Sequence, residues 1–101
     1  MDKKFTVCVP FYVDDNLDAT KLEIVCCINH VNDCLRAFKQ ISLNEVVFAF
    51  WSVCTQEHRY SYRWGYDLKK DGHIGVQVIK NPANPKVWYL KFTARDIVED
   101  R

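Results

Sequence analysis

Nine residues, Tyr60-Ser61-Tyr62-Arg63-Trp64-Gly65-Tyr66-Asp67-Leu68, alternate large apolar or aromatic side chains with small or polar ones. Successive side chains of a strand point to opposite faces, so this run predicts a strand with one apolar and one wet face. A row of aromatics on one side needs a sheet to carry it and a second layer to bury it. The chain is therefore expected to be organised around a sheet with an aromatic side.

A second alternation, Phe5, Val7, Val9, Phe11 and Val13 against Thr6, Cys8, Pro10 and Tyr12, predicts a first strand. Pro10 has no amide hydrogen to give to a ladder, which suggests a sheet edge or a bulge. Asp14-Asp15-Asn16 closes the strand by turn chemistry. The period then changes. Ile24, Cys27, Ile28, Val31, Cys34, Leu35, Phe38 and Ile41 fall on one side of a helix, and Thr20 with Glu23 has the spacing of a capping box. A helix of about 20 residues would be about 30 Å long, enough to span a sheet.

Val46 to Cys54 is almost continuously apolar and bounded by polar residues. It predicts a central strand covered on both faces, with Val46, Phe48 and Phe50 on one and Val47, Ala49, Trp51 and Val53 on the other. The aromatic strand is expected to form a hairpin with the segment after Gly72. A two-residue Asp71-Gly72 loop would turn Val76 and Val78 away from the aromatics. A three-residue loop, Lys70-Asp71-Gly72, pairs Leu68 with Ile74, Tyr66 with Val76 and Trp64 with Val78, and burial favours it. Lys86 to Ala94 predicts a last strand with Trp88, Leu90 and Phe92 on one face, and Thr93 to Asp96 the start of a short helix. The expected fold is α+β. It is a single domain over residues 1–101, with a mostly antiparallel sheet of about five strands and one long helix packed on one face.

Charge and cysteine content narrow the function. Fourteen basic and thirteen acidic residues give a net charge of +1, which argues against duplex DNA or an anionic membrane as a dominant partner. No apolar run approaches the roughly 20 residues of a membrane helix. The start, Met1-Asp2-Lys3-Lys4-Phe5, lacks the apolar core of a signal peptide. Five cysteines form no regular disulfide framework, so a reducing compartment, the cytoplasm, is expected.

Candidate chemistry is thin. Cys27, His30 and Cys34 share a helical strip that could hold zinc if Cys8 or Cys54 came near. The strip lacks Cys-x-x-Cys spacing and borders the apolar stripe, where thiols pack as small hydrophobes. Cys54 with His58, or Cys34 with His30, could form a nucleophile–base pair, but burial raises a thiol pKa and favours a structural reading. Asp14, Asp15 and Asp18 cluster without the spacing of an EF-hand. No metal, cofactor or catalytic residue is expected.

One feature exceeds what a single helix can shelter. The run from Val46 to Cys54 is apolar on both sides, and Tyr12, Ile79, Val87 and Tyr89 fall opposite the inferred core. Such a surface marks association. The expected function is that of a small non-enzymatic protein-binding module. Inhibitor, immunity and adaptor proteins of bacteria and phages are physically of this kind. It would bind a protein partner or a second copy (a homodimer) through Tyr12, Trp51 and Tyr89, with Arg59 and Arg63 at the rim. One alternative is a sheet-based single-stranded nucleic-acid binder using the same aromatics with Arg59, Arg63, Lys86 and Lys91, although Arg-Trp-Gly-Tyr does not match the RNP1 pattern. A second alternative is a small cysteine-dependent enzyme.

Overall fold

The computed structural model describes residues 3–13, 16–54 and 59–98. The elements run β1 (Lys4–Tyr12), α1 (Leu17–Phe38), β2 (Gln40–Ser42), α2 (Leu43–Phe48), β3 (Trp64–Asp67), α3 (Leu68–Asp71), β4 (Gln77–Ile79) and β5 (Val87–Asp96). The fold is α+β. Its five-stranded sheet has the order β1-β5-β3-β2, with β4 also paired to β5, and every ladder is antiparallel.

β1 and β5 form the backbone of the sheet, paired continuously from Lys4–Arg95 to Tyr12–Val87. The predicted alternation sets their faces. Val9 and Phe11 of β1, with Leu90, Phe92 and Ala94 of β5, are buried on one side. Pro10 suggested an edge or a bulge, and the edge position is observed, since among the described residues β1 has a ladder only with β5 apart from a single bridge between Phe11 and Cys54.

α1 lies against the buried side. Thr20, Ile24, Cys27, Val31 and Leu35 recur at helical spacing and are its buried residues. Its start lies earlier than the Thr20–Glu23 pattern suggests. Asn16 is the N-cap, its side-chain oxygen accepting from the Ala19 amide at 3.1 Å, and the Thr20 hydroxyl donates to the Asn16 carbonyl. Lys39 ends the helix in the left-handed region, φ 69°, with its amide bonded to the Leu35 carbonyl at 2.8 Å.

Three sequence expectations are corrected. The apolar run from Val46 is helix and turn, not a central strand. Ser42 caps α2 by accepting from the Glu45 amide at 3.2 Å, and Val46, Val47 and Phe50 face inward while Phe48 and Trp51 are exposed. The hairpin does not form. β3 is only Trp64–Asp67 and pairs with β2 and β5, while Asp67 and Gly72 cap the single turn of α3 between them. The segment from Thr93 to Asp96 continues β5 rather than starting a helix.

Side chains replace the missing hairpin. Asn32 of α1 donates to the Ile74 carbonyl at 3.1 Å and accepts from the Ile74 amide at 2.7 Å, which seats Ile74 in the core. The far end of β5 is held by two ion pairs. Arg95 grips Asp71 with three bonds of 2.8–3.0 Å, and Arg63 binds Asp96 through Nε at 2.9 Å and through Nη2. Trp64 stacks on Phe5, ring centroids 5.0 Å apart.

Candidate functional site

The outward face of β1, β4 and β5 is built by register. Where Val9 and Phe11 point to the helix, the intervening Cys8, Pro10 and Tyr12 must point away. Their partners on β5 follow the same rule: Tyr12 faces Val87, Pro10 faces Tyr89 and Cys8 faces Lys91. β4 extends two rungs, with Ile79 beside Tyr89 and Gln77 beside Lys91. One end of this face is therefore apolar, made by Pro10, Tyr12, Ile79, Val87 and Tyr89. Tyr12 is 62% exposed and Ile79 38%. The other end carries Lys4, Thr6, Lys91 and Thr93.

The contrast between the two faces defines the candidate. On the helix side Val9, Leu90 and Phe92 are fully buried. On the outward side, from residue 4 to 12 of β1 and from 87 to 93 of β5, no described residue is buried. Tyr12 and Tyr89 stand on diagonal rungs, about 7–8 Å apart by strand geometry, close enough for one ligand to touch both. The rim nearest them is fixed. The Val13 amide bonds the Lys86 carbonyl at 2.8 Å. Asn81 and Asn84 accept from the Ala83 and Lys86 amides at 3.0 and 3.1 Å, which shapes the loop before β5. On the opposite side, Lys80 lies over the Trp88 ring, 5.4 Å from its centroid, and Trp88 meets the buried Phe11 edge to face.

The other expected contact residues lie elsewhere. Trp51, 70% exposed, belongs to the turn after α2 and not to a strand. That turn packs on the covered side, because Phe50 meets Phe92 and the Ser52 hydroxyl donates to Glu23 of α1 at 2.7 Å. The Trp51 amide bonds the carbonyl of the exposed Phe48 at 3.0 Å, so the two neighbour each other. Arg63 is committed to Asp96 and lies 5.4 Å over the Trp64 ring. Asp96 is seven positions along β5 from Tyr89, about 23 Å by strand rise. Arg59 is exposed next to Tyr60, whose ring touches Phe5 near the start of β1. Of the five expected residues, the structure brings together Tyr12 and Tyr89. Pro10 completes their cluster. The missing amide of Pro10 suggests an edge or a bulge, and its place between Cys8 and Tyr12 also carries the face assignment.

Of the two thiol–imidazole pairs considered in the sequence, the structure brings Cys34 and His30 within hydrogen-bond reach. Burial pushes the Cys54 thiol up to about 11. Burial also raises Cys27, against a hydrogen bond with Ser52 that works in the opposite direction. Cys34 Sγ lies 3.8 Å from His30 Nε2 on an open helical surface. No group of three or more His, Cys, Asp or Glu that could hold a metal occurs among the described residues. His58, Asp14 and Asp15, named in the nucleophile and cation readings, lie outside them. No helix among the described residues is long and apolar enough to cross a membrane.

A hollow of about 310 Å³ near the end of α1 is lined by Lys39, Asp67, Leu68 and Lys69. Asp67 there is held below the usual carboxylate range, chiefly by the amide of Gln40, which donates to it at 2.8 Å, and by the Lys70 and Lys69 amides. Tyr66, buried behind this region, has no hydrogen-bond partner for its hydroxyl among the described residues; burial, with Asp71 adding to it, raises its pKa. This is a braced polar end of the sheet without a convergent reactive group. Compared with known protein families, curated proteins and solved structures, the chain matches none.

Proposed function

We propose that this chain is a small non-enzymatic protein-binding module that works through the outward face of β1, β4 and β5. A single observation carries the reading: Pro10, Tyr12, Ile79, Val87 and Tyr89 converge on a sheet face where no described position from 4 to 12 of β1 or from 87 to 93 of β5 is buried, while on the opposite face Val9, Phe11, Leu90 and Phe92 are buried. A contiguous apolar surface with two tyrosines is the kind of patch from which interfaces draw most of their energy. The five thiols, all free, support a reducing, cytoplasmic setting.

Crosslinking from defined positions tests the reading. A photoreactive residue replacing Tyr89 should yield protein adducts in cells of the source organism, and one replacing Leu22, exposed on the outside of α1, should not. Adducts from position 22 but not 89, or from neither, would remove the sheet face from consideration.

A further inference from the structure

We infer that the outward sheet face takes an extended acidic segment of another protein rather than a second copy of this chain. This rests on the binding role proposed for that face. Size is the first argument. β1 is open on this side over nine residues, about 30 Å, with β5 beside it, and β4 widens the strip to roughly 10–14 Å only along Gln77–Ile79. The footprint is on the order of 300 Å², less than half of the roughly 800 Å² per partner that a stable globular interface needs. An extended segment of about ten residues matches the strip in length and width.

Charge is the second argument. Among the described residues, the outward positions of β1 and β4, and those of β5 from Val87 to Thr93, include Lys4 and Lys91 but no carboxylate. Lys86 precedes Val87 at the apolar end, whereas Lys80 lies over Trp88 on the helix side. The acids that follow along the sheet are engaged within the chain, Asp67 by Gln40 and Asp71 by Arg95. Asp14 and Asp15, which come after Tyr12 in the sequence, lie outside the described residues. Two copies stacked on this face would bring lysine toward lysine, a repulsive juxtaposition. A segment with Asp or Glu beside apolar residues would meet both halves of the strip, its acids on Lys91 and its apolar side chains on Tyr12, Tyr89 and Ile79. Single-stranded nucleic acid fits less well. The chain's net charge of +1 gives little long-range attraction for phosphate, and Pro10, Ile79 and Val87 offer aliphatic contacts that favour apolar side chains.

Selection from a random library of displayed peptides tests the inference without knowledge of the partner. The library members should be long enough to span β5, about ten residues. Enriched sequences should combine Asp or Glu with large apolar residues. Their synthetic peptides should bind the full chain and weaken about tenfold or more on Lys91→Glu and on Tyr12→Ala. A peptide with Lys in place of its acid should regain binding to the Lys91→Glu protein. Tyr12 is well exposed and its truncation leaves the core intact, so that variant remains informative if Lys91→Glu disturbs β5. Binders that need Tyr12 and Tyr89 but show no acidic enrichment overturn this inference and leave the proposed function standing. Binders indifferent to both tyrosines, or a library that yields none, overturn both. Concentration-dependent dimers by sedimentation that Tyr12→Ala abolishes would make a second copy the occupant. Salt-sensitive binding of oligothymidylate that needs the same tyrosines would make it nucleic acid.

Discussion

Phe50 meets Phe92 edge to face, with ring centroids 5.3 Å apart and planes at 73°. Two residues earlier, Phe48 is 73% exposed. In a strand these two side chains would share a face; on a helix and its following turn they part, and the pair distinguishes the two structures. Phe50→Ala should cost on the order of 3–5 kcal/mol, the usual penalty for a buried aromatic. Phe48→Ala should change stability by no more than about 0.5 kcal/mol. Urea unfolding of both variants checks this, and equal losses would restore the strand.

Arg95 and Asp71 are both nearly buried, with side chains 9% and 16% exposed. Removing one partner strands the other charge. Arg95→Met should therefore cost about 3 kcal/mol or more, whereas Arg95→Met combined with Asp71→Leu should recover much of it. Asp71 also accepts from the Asp67 amide at 2.8 Å, so recovery should be incomplete. A double-mutant cycle in denaturant reads the coupling; strictly additive losses would mean that the pair does not act as a unit.

The thiols should fall into reactivity classes. Cys8 and Cys26 are exposed, Cys34 is half-buried, and Cys27 and Cys54 are buried. With its thiol pushed up to about 11, Cys54 is almost wholly protonated at pH 8, so burial and chemistry both protect it. A thiol-disulfide reagent at that pH should label Cys8 and Cys26 first and reach Cys27 and Cys54 only on unfolding. Mass spectrometry of the quenched protein gives the order, and prompt labelling of Cys54 would contradict the packing around Phe11.

Asp67 gives stability a dependence on acid. Its carboxylate caps α3 and accepts from Gln40, and these bonds hold its pKa below the ordinary value. A depressed carboxylate pKa adds stability that is fully present above the unfolded-state value and is lost as pH falls through the folded-state value. Melting temperature should thus decline as pH falls below the ordinary carboxylate range. Asp67→Asn keeps a capping oxygen but cannot titrate, so its decline should be shallower. Parallel profiles for the two proteins would assign the acid sensitivity to other groups.

The sequence disclosed what repeats over many residues. α1 shows its buried stripe over 22 residues, and β1 and β5 each alternate long enough to reveal their faces. Short elements were obscured by composition. The run from Val46 to Cys54 contains so many apolar residues that neither period stands out. The signal that could have decided it is Ser42 with Glu45, a capping pattern three residues apart. Around Asp71-Gly72 the turn chemistry was real, since Gly72 has φ 75°, but it closes a helical turn rather than a hairpin. Gly65 marked the sheet instead. A Cβ there would come within 2.4 Å of the Ile41 carbonyl oxygen, so β2 can lie against β3 only because position 65 is bare. The candidate face was half legible for the same reason: Tyr12 and Tyr89 follow from strand parity, while Trp51 was misplaced along with the strand that does not exist.

β1 has a single ladder among the described residues, and its partner begins 75 positions after its own end. Apart from the Phe11–Cys54 bridge, Val9 and Phe11 therefore have no ladder beside them until synthesis has passed Val87, whereas α1 can coil as soon as it is made. Loop closure over that distance delays the sheet, so a nascent or truncated chain ending before Val87 would expose an aggregation-prone ribbon.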